Sequence, residues 1–99
     1  MTTSNHNARH LVEGLVPFIA SNLHADFVNG IYVVYSYGWY PIFINQDGIW
    51  YENDEKYSRT TAVHISKCRP YNVVTRECNT EDLKDLIQIG RLSNQPHFY

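Results

Sequence analysis

His64 and Cys68 stand four residues apart, the spacing that puts two side chains on one face of a helix. Cys78 follows ten residues later, and His97 or His10 could complete a tetrahedral zinc sphere of thiolate and imidazole. No Cys-x-x-Cys pair anchors such a site, so ordinary thiols and a hydrogen-bonded histidine are the plainer account. The same pair could act as thiol nucleophile and imidazole base, with Arg69 or a helix terminus favouring the thiolate. No local signature accompanies it, and Cys68 also reads as a small core residue. Glu52, Asp54 and Glu55 form a carboxylate cluster in a polar stretch, which water normally solvates. Gly38 and Gly48 are isolated turn residues and build no phosphate loop. The expectation is therefore no catalytic residue, no metal site and no cofactor.

The densest chemistry is Tyr57, Ser58, Arg59, Thr60, Thr61, His64, Lys67 and Arg69. Hydroxyl, imidazole and guanidinium groups together suit a phosphate or nucleotide contact. Tyr32, Trp39, Tyr40 and Trp50 offer planar faces on which bases could stack. The alternative is a capped helix with locally satisfied hydroxyls and aromatic rings in the core. Trp39 and Tyr40, beside Gly38 in a turn, are the rings expected to be exposed. The expected binding residues are thus Trp39, Tyr40, Tyr57, Arg59, Thr60, Thr61, His64, Lys67 and Arg69.

The elements that must position these residues begin with a helix over 5–22, capped by Ser4 or Asn5. Its apolar stripe is His10, Leu11, Gly14, Leu15, Phe18 and Ile19, and Pro17 kinks or splits it. Asn29-Gly30 turns the chain into a strand over 31–37, with Ile31, Val33, Tyr35 and Tyr37 on one face and Tyr32, Val34 and Ser36 on the other. A short strand over 42–45, the Gln46-Asp47-Gly48 turn and a returning strand over 49–52 complete a three-stranded antiparallel meander. Residues 58–67 carry two patterns. Thr61, Val63 and Ile65 alternate as in a strand, whereas Ser58 as cap, the Thr61-Ile65-Cys68 face and the stop at Pro70 favour a helix. A fourth strand follows over 72–77. Thr80 then caps a last helix with Leu83, Leu86 and Ile87 inward and Gly90 as its stop. The expected fold is α+β: one domain over 1–99, an antiparallel three- to four-stranded sheet packed by an N-terminal and a C-terminal helix. Residues 1–7 and 91–99 read as loose tails.

Composition bounds the partners. The 99 residues are 43% hydrophobic, 18% charged and 14% aromatic, a balance that suits a folded domain rather than a disordered chain. A formal net charge of −2 disfavours a wholly basic nucleic-acid binder. Charge is nevertheless uneven, since Lys56, Arg59, Lys67, Arg69 and Arg76 follow one another with no carboxylate between. No stretch approaches the ~20 apolar residues of a membrane span, so no membrane association is expected. Two cysteines make no disulfide framework, which fits an intracellular setting.

The strings Tyr32-Val33-Val34-Tyr35-Ser36-Tyr37-Gly38, Pro41-Ile42-Phe43, Gly48-Ile49-Trp50-Tyr51-Glu52-Asn53, Lys56-Tyr57-Ser58, Thr60-Thr61, His64 and Arg69-Pro70 resemble a family of small proteins of bacterial viruses and mobile elements. The resemblance covers residues 32–70. It implies a viral accessory protein in the host cytoplasm, without assigning an activity or a catalytic residue. With the aromatic excess, it leads to the expectation of a non-enzymatic module that binds a host protein or complex, modulating host defence or gene expression. Nucleic-acid or nucleotide binding through residues 56–69 is the alternative, and a small enzyme or zinc protein using His64 and Cys68 a third. Oligomeric state is left open by the sequence.

Overall fold

The computed structural model describes residues 8–55, 59–70 and 73–89; within the helix that starts at Arg59, the side chains of residues 59–62 and 66 are not described. Six strands form one sheet in sequence order: β1 (Phe18–Ala20), β2 (Leu23–Val28), β3 (Ile31–Ser36), β4 (Tyr40–Gln46), β5 (Ile49–Asn53) and β6 (Thr75–Cys78). The first five make an antiparallel meander, and β6 pairs parallel to β5. Three helices cover the sheet: α1 (Ala8–Glu13), α2 (Arg59–Cys68) and α3 (Thr80–Ile89).

The α+β class is as expected, but the sheet is larger and mixed rather than a three- to four-stranded antiparallel one. The N-terminal helix is also far shorter than 5–22. It ends because Leu15 adopts a left-handed conformation at φ 55°, its N–H bonding Val12 O at 3.0 Å while Val16 N–H bonds Leu11 O at 2.9 Å. That pair of bonds closes a helix C-terminus, and Pro17 then cannot resume it. Phe18 to Ala20 is freed to become a strand. A parallel β6 requires a crossover, and α2 supplies it. The ambiguous segment is therefore helical. Its expected cap, Ser58, lies outside the described residues.

Turn chemistry sets the meander. Asn29-Gly30 and Asp47-Gly48 both hold positive φ, at 53° and 80° and at 52° and 86°. Such turns carry the twist that adjacent antiparallel strands need. The sheet is then buried on both faces. Towards α1 and α2 lie Phe18, Ala25, Tyr32, Val34, Phe43 and Trp50, against Ala8, Val12, Ile65 and Cys68. Tyr32 and Trp50 meet edge to face at 6.2 Å, as do Phe43 and Trp50 at 6.4 Å. Towards α3 lies a smaller core of Ile31, Val33, Ile44 and Leu83. Asn79, not Thr80, caps α3: its Oδ1 accepts the Asp82 N–H at 2.8 Å.

Candidate functional site

Strand alternation carries Ser36 to the α2 side of the sheet, where its hydroxyl is hydrogen-bonded to His64 Nδ1 at 2.7 Å. Both groups are buried. Burial, and secondarily the Lys67 charge, hold His64 below its ordinary pKa of 6.5, so it sits neutral in the fold at neutral pH. The Tyr37 ring lies 5.8 Å from the imidazole. One helical turn on, Cys68 is fully buried in the core and its thiol is pushed up to about 12 by burial. A thiol so disposed is a packing group rather than a nucleophile or ligand. Among the described residues no three His, Cys, Asp or Glu side chains converge on one point.

Arg69 follows α2 and turns back onto the sheet. Its guanidinium grips the Glu52 carboxylate in two places, Nε to Oε1 at 3.0 Å and Nη2 to Oε2. Thr75 donates to the same Oε1 at 3.2 Å, and Arg9 Nε donates to the Arg69 carbonyl at 2.7 Å. The contact with Glu52 holds the Arg69 pKa above its usual value. Glu52 is thus an anchor for the α2 exit, not a loop carboxylate in water. Its charge neutralises the guanidinium that a phosphate would need.

Tyr40, expected on the surface, is only 6% exposed. Its hydroxyl donates to the Glu55 carbonyl at 3.0 Å and accepts from Thr80 Oγ1 at 3.0 Å. Asn53 Nδ2 extends this network to Thr80 Oγ1 at 3.0 Å and to the Pro41 carbonyl at 2.8 Å. Glu55 Oε1 accepts the Thr80 N–H at 2.8 Å, which with the Thr80 side chain lowers its carboxyl pKa. These groups tie the start of α3 to β4 and β5. Tyr32 and Trp50 are buried as well. Of the four rings offered for base stacking, Trp39 alone is exposed, at 51%.

Trp39 follows a turn that is itself unusual. Tyr37 holds φ 61° and Gly38 φ 84°. A bulky residue in that region is strained, and its neighbours must hold it there. They do so through the Tyr37 N–H, which donates to Asn22 O at 2.8 Å and joins the β3–β4 turn to the β1–β2 turn. Tyr37 and Gly38 line a hollow of about 400 Å³ with Ile19, Ala20, Asn22, Leu23 and His24.

No protein-family model, curated protein or solved structure matches the chain. Geometry alone orders the candidates.

The nine expected binding residues therefore divide. Trp39 is exposed at the turn end of the sheet, and Lys67 is exposed near the end of α2. Tyr40, His64 and Arg69 are engaged internally. Arg59, Thr60 and Thr61 open α2, their side chains undescribed, and Tyr57 lies outside the described residues. Since His64 meets Ser36 near the Tyr37 turn and Arg69 reaches Glu52 farther along, α2 runs away from the Trp39 end. Arg59 and Lys67 then stand roughly 12 Å apart along the helix. Sequence reasoning missed Ser36, Asn53 and Tyr37. Positive φ at Tyr37 had one signal, the glycine that follows it. No helix among the described residues is long and apolar enough to cross a membrane.

Proposed function

We propose that the protein is a non-enzymatic binding module that contacts a host protein through the turn end of its sheet, with Trp39 as the anchor. The observation that carries this reading is the half-exposed Trp39 on a strained, hydrogen-bonded turn beside an open hollow. An indole held on a rigid turn offers large contact area at little ordering cost, the usual character of an interface anchor. A viral accessory role in the host cytoplasm, modulating defence or gene expression, rests on the resemblance of residues 32–70. Nucleic-acid or nucleotide binding through residues 56–69 is the weaker reading, because Arg69 is paired with Glu52 and three of the four candidate stacking rings are buried.

Affinity capture from host lysate with the wild type and Trp39→Ala, followed by identification of what is retained, tests the proposal. The expected result is a specific protein lost with the indole. Equal capture by both overturns it.

A further inference from the structure

The two edges of the sheet are built differently. The described edge strand β6 carries Arg76 and Glu77, both exposed, charges of the kind that protect a strand edge. At the opposite edge, β1 is Phe18-Ile19-Ala20, with no charge at all. Its backbone direction follows from the ladders. The Tyr37 N–H bonds Asn22 O, so alternation makes His24↔Tyr35 a hydrogen-bonded pair of β2 and β3, while Leu23 and Ala25 turn their backbone groups towards β1. Leu23 and Ala25 face Ala20 and Phe18, which leaves the Ile19 N–H and C=O pointing out of the sheet. By the same alternation the Ser21 N–H and the Pro17 C=O point outward on either side of it, and Pro17 has no N–H to leave unpaired.

That order of groups is self-complementary. If a second β1 lies antiparallel with its two-fold axis at Ile19, the two Ile19 residues exchange N–H and C=O, and each Ser21 N–H meets a Pro17 carbonyl. The side chains agree with it. Ile19 is 62% exposed on the sheet face towards α3, outside the core that Leu83 forms with Ile31, Val33 and Ile44. It stands in one row with His24 and Tyr35, whose rings stack at 4.9 Å. Hollows of about 400 and 230 Å³ open on either side of Ile19 and His24. Two-fold pairing would run this row through both copies and cover both isoleucines.

We propose that the protein self-associates through β1, a second copy of the chain pairing antiparallel about Ile19 to continue the sheet. Such a contact is isologous, residue 19 meeting residue 19 of the other copy. The two Trp39 ends then point in opposite directions, giving a two-ended binder.

The test is the mass of the full chain by sedimentation equilibrium across a concentration series. The expected result is a mass that rises with concentration from 11.6 kDa towards twice that value, the short edge strand giving a weak, reversible contact. Ile19→Lys and Ile19→Glu should each weaken association at least about tenfold, because like charges then face each other across the axis. Mixing the two variants should restore it, a rescue that a merely structural role for Ile19 would not produce. The Ile19 amide should also gain hydrogen-exchange protection as concentration rises. A single-chain mass up to roughly 1 mM, or association unchanged in both variants, overturns the proposal. Association seen only after deletion of residues 2–7 also overturns it, by giving the edge to the chain's own N-terminal segment.

Discussion

The face of the sheet towards α1 and α2 and the face towards α3 solve the same packing problem with different chemistry. The α3 face is closed by Ile31, Val33, Ile44 and Leu83, and polar bonds anchor both ends of the helix, at Asn79 and Thr80 and where Asn29 Nδ2 bonds Ile87 O at 2.9 Å. The α2 face has a larger aromatic core and two polar attachments within it, Ser36 with His64 and Glu52 with Arg69. Apolar contact alone lets a helix slide or rotate by small amounts, whereas a paired polar group fixes one position. The difference teaches what the hydroxyl, imidazole and guanidinium groups of residues 56–69 contribute. Two of them, His64 and Arg69, position the crossover helix, while Trp39 at the end of the sheet is half exposed.

The largest expected effect is on the apolar face. Leu83→Ala removes its central helix contact and should cost about 2–5 kcal/mol, read as a lower urea midpoint with an unchanged slope. On the other face, Glu52→Gln leaves Arg69 and Thr75 without their full acceptor. The expected loss is about 1–2 kcal/mol, moderated because the Arg69 side chain is 49% exposed. Equal losses at the two sites would blur the contrast between the faces; no loss for Glu52→Gln would remove the polar attachment as a source of stability.

A finer probe is pH. His64 has a folded-state pKa below 6.5, from burial and then Lys67, so the unfolded chain binds its proton first. Its neutral form is therefore fully favourable above about pH 6.5, and stability falls as pH drops through the depressed folded value. Between about pH 7.5 and pH 5 the wild type should lose more stability than His64→Gln, in which this term is absent. Identical pH profiles would mean that the imidazole is not held neutral by the fold. The α3 face has no buried histidine among the described residues, so Leu83→Ala should follow the wild-type profile.

Much of the meander was legible because turn residues and side-chain alternation are local. Asn29-Gly30 and Asp47-Gly48 announced positive φ, and the two faces of 31–37 were separable by parity. The helical pattern of α2 and the apolar stripe of α3 were visible for the same reason. β1 and β2 were not. Phe18-Ile19-Ala20 continued the helical stripe that Leu15 interrupts, and β2 spells Leu-His-Ala-Asp-Phe-Val, with its buried residues at Leu23 and Ala25. The candidate site was half legible. His64 and Arg69 were singled out as binding groups, whereas the structure pairs them internally with residues 28 and 17 positions away in the chain. A sequence shows that an imidazole or guanidinium exists, not whether Ser36 or Glu52 already occupies it. Trp39 could be read because an adjacent glycine turn places it outside the strands, whereas Tyr40, one residue on, enters β4 and is buried.

One measurement reaches the central claim, that the partner surface is the Trp39 end and not the basic stretch. It is capture of the identified partner by the wild type, Trp39→Ala and Lys67→Ala across a salt series, with each variant's urea midpoint recorded in parallel. Lys67 is exposed, so Lys67→Ala should stay within about 0.5 kcal/mol of wild-type stability. Trp39→Ala also loses the edge-to-face contact of its half-exposed ring with Tyr40 at 5.5 Å and should cost about 1–2 kcal/mol without unfolding the domain. The account predicts that Trp39→Ala loses the partner, that Lys67→Ala keeps it, and that wild-type affinity changes little with salt. Binding that survives Trp39→Ala, fails in Lys67→Ala and falls steeply with salt would contradict it and assign the surface to a polyanion.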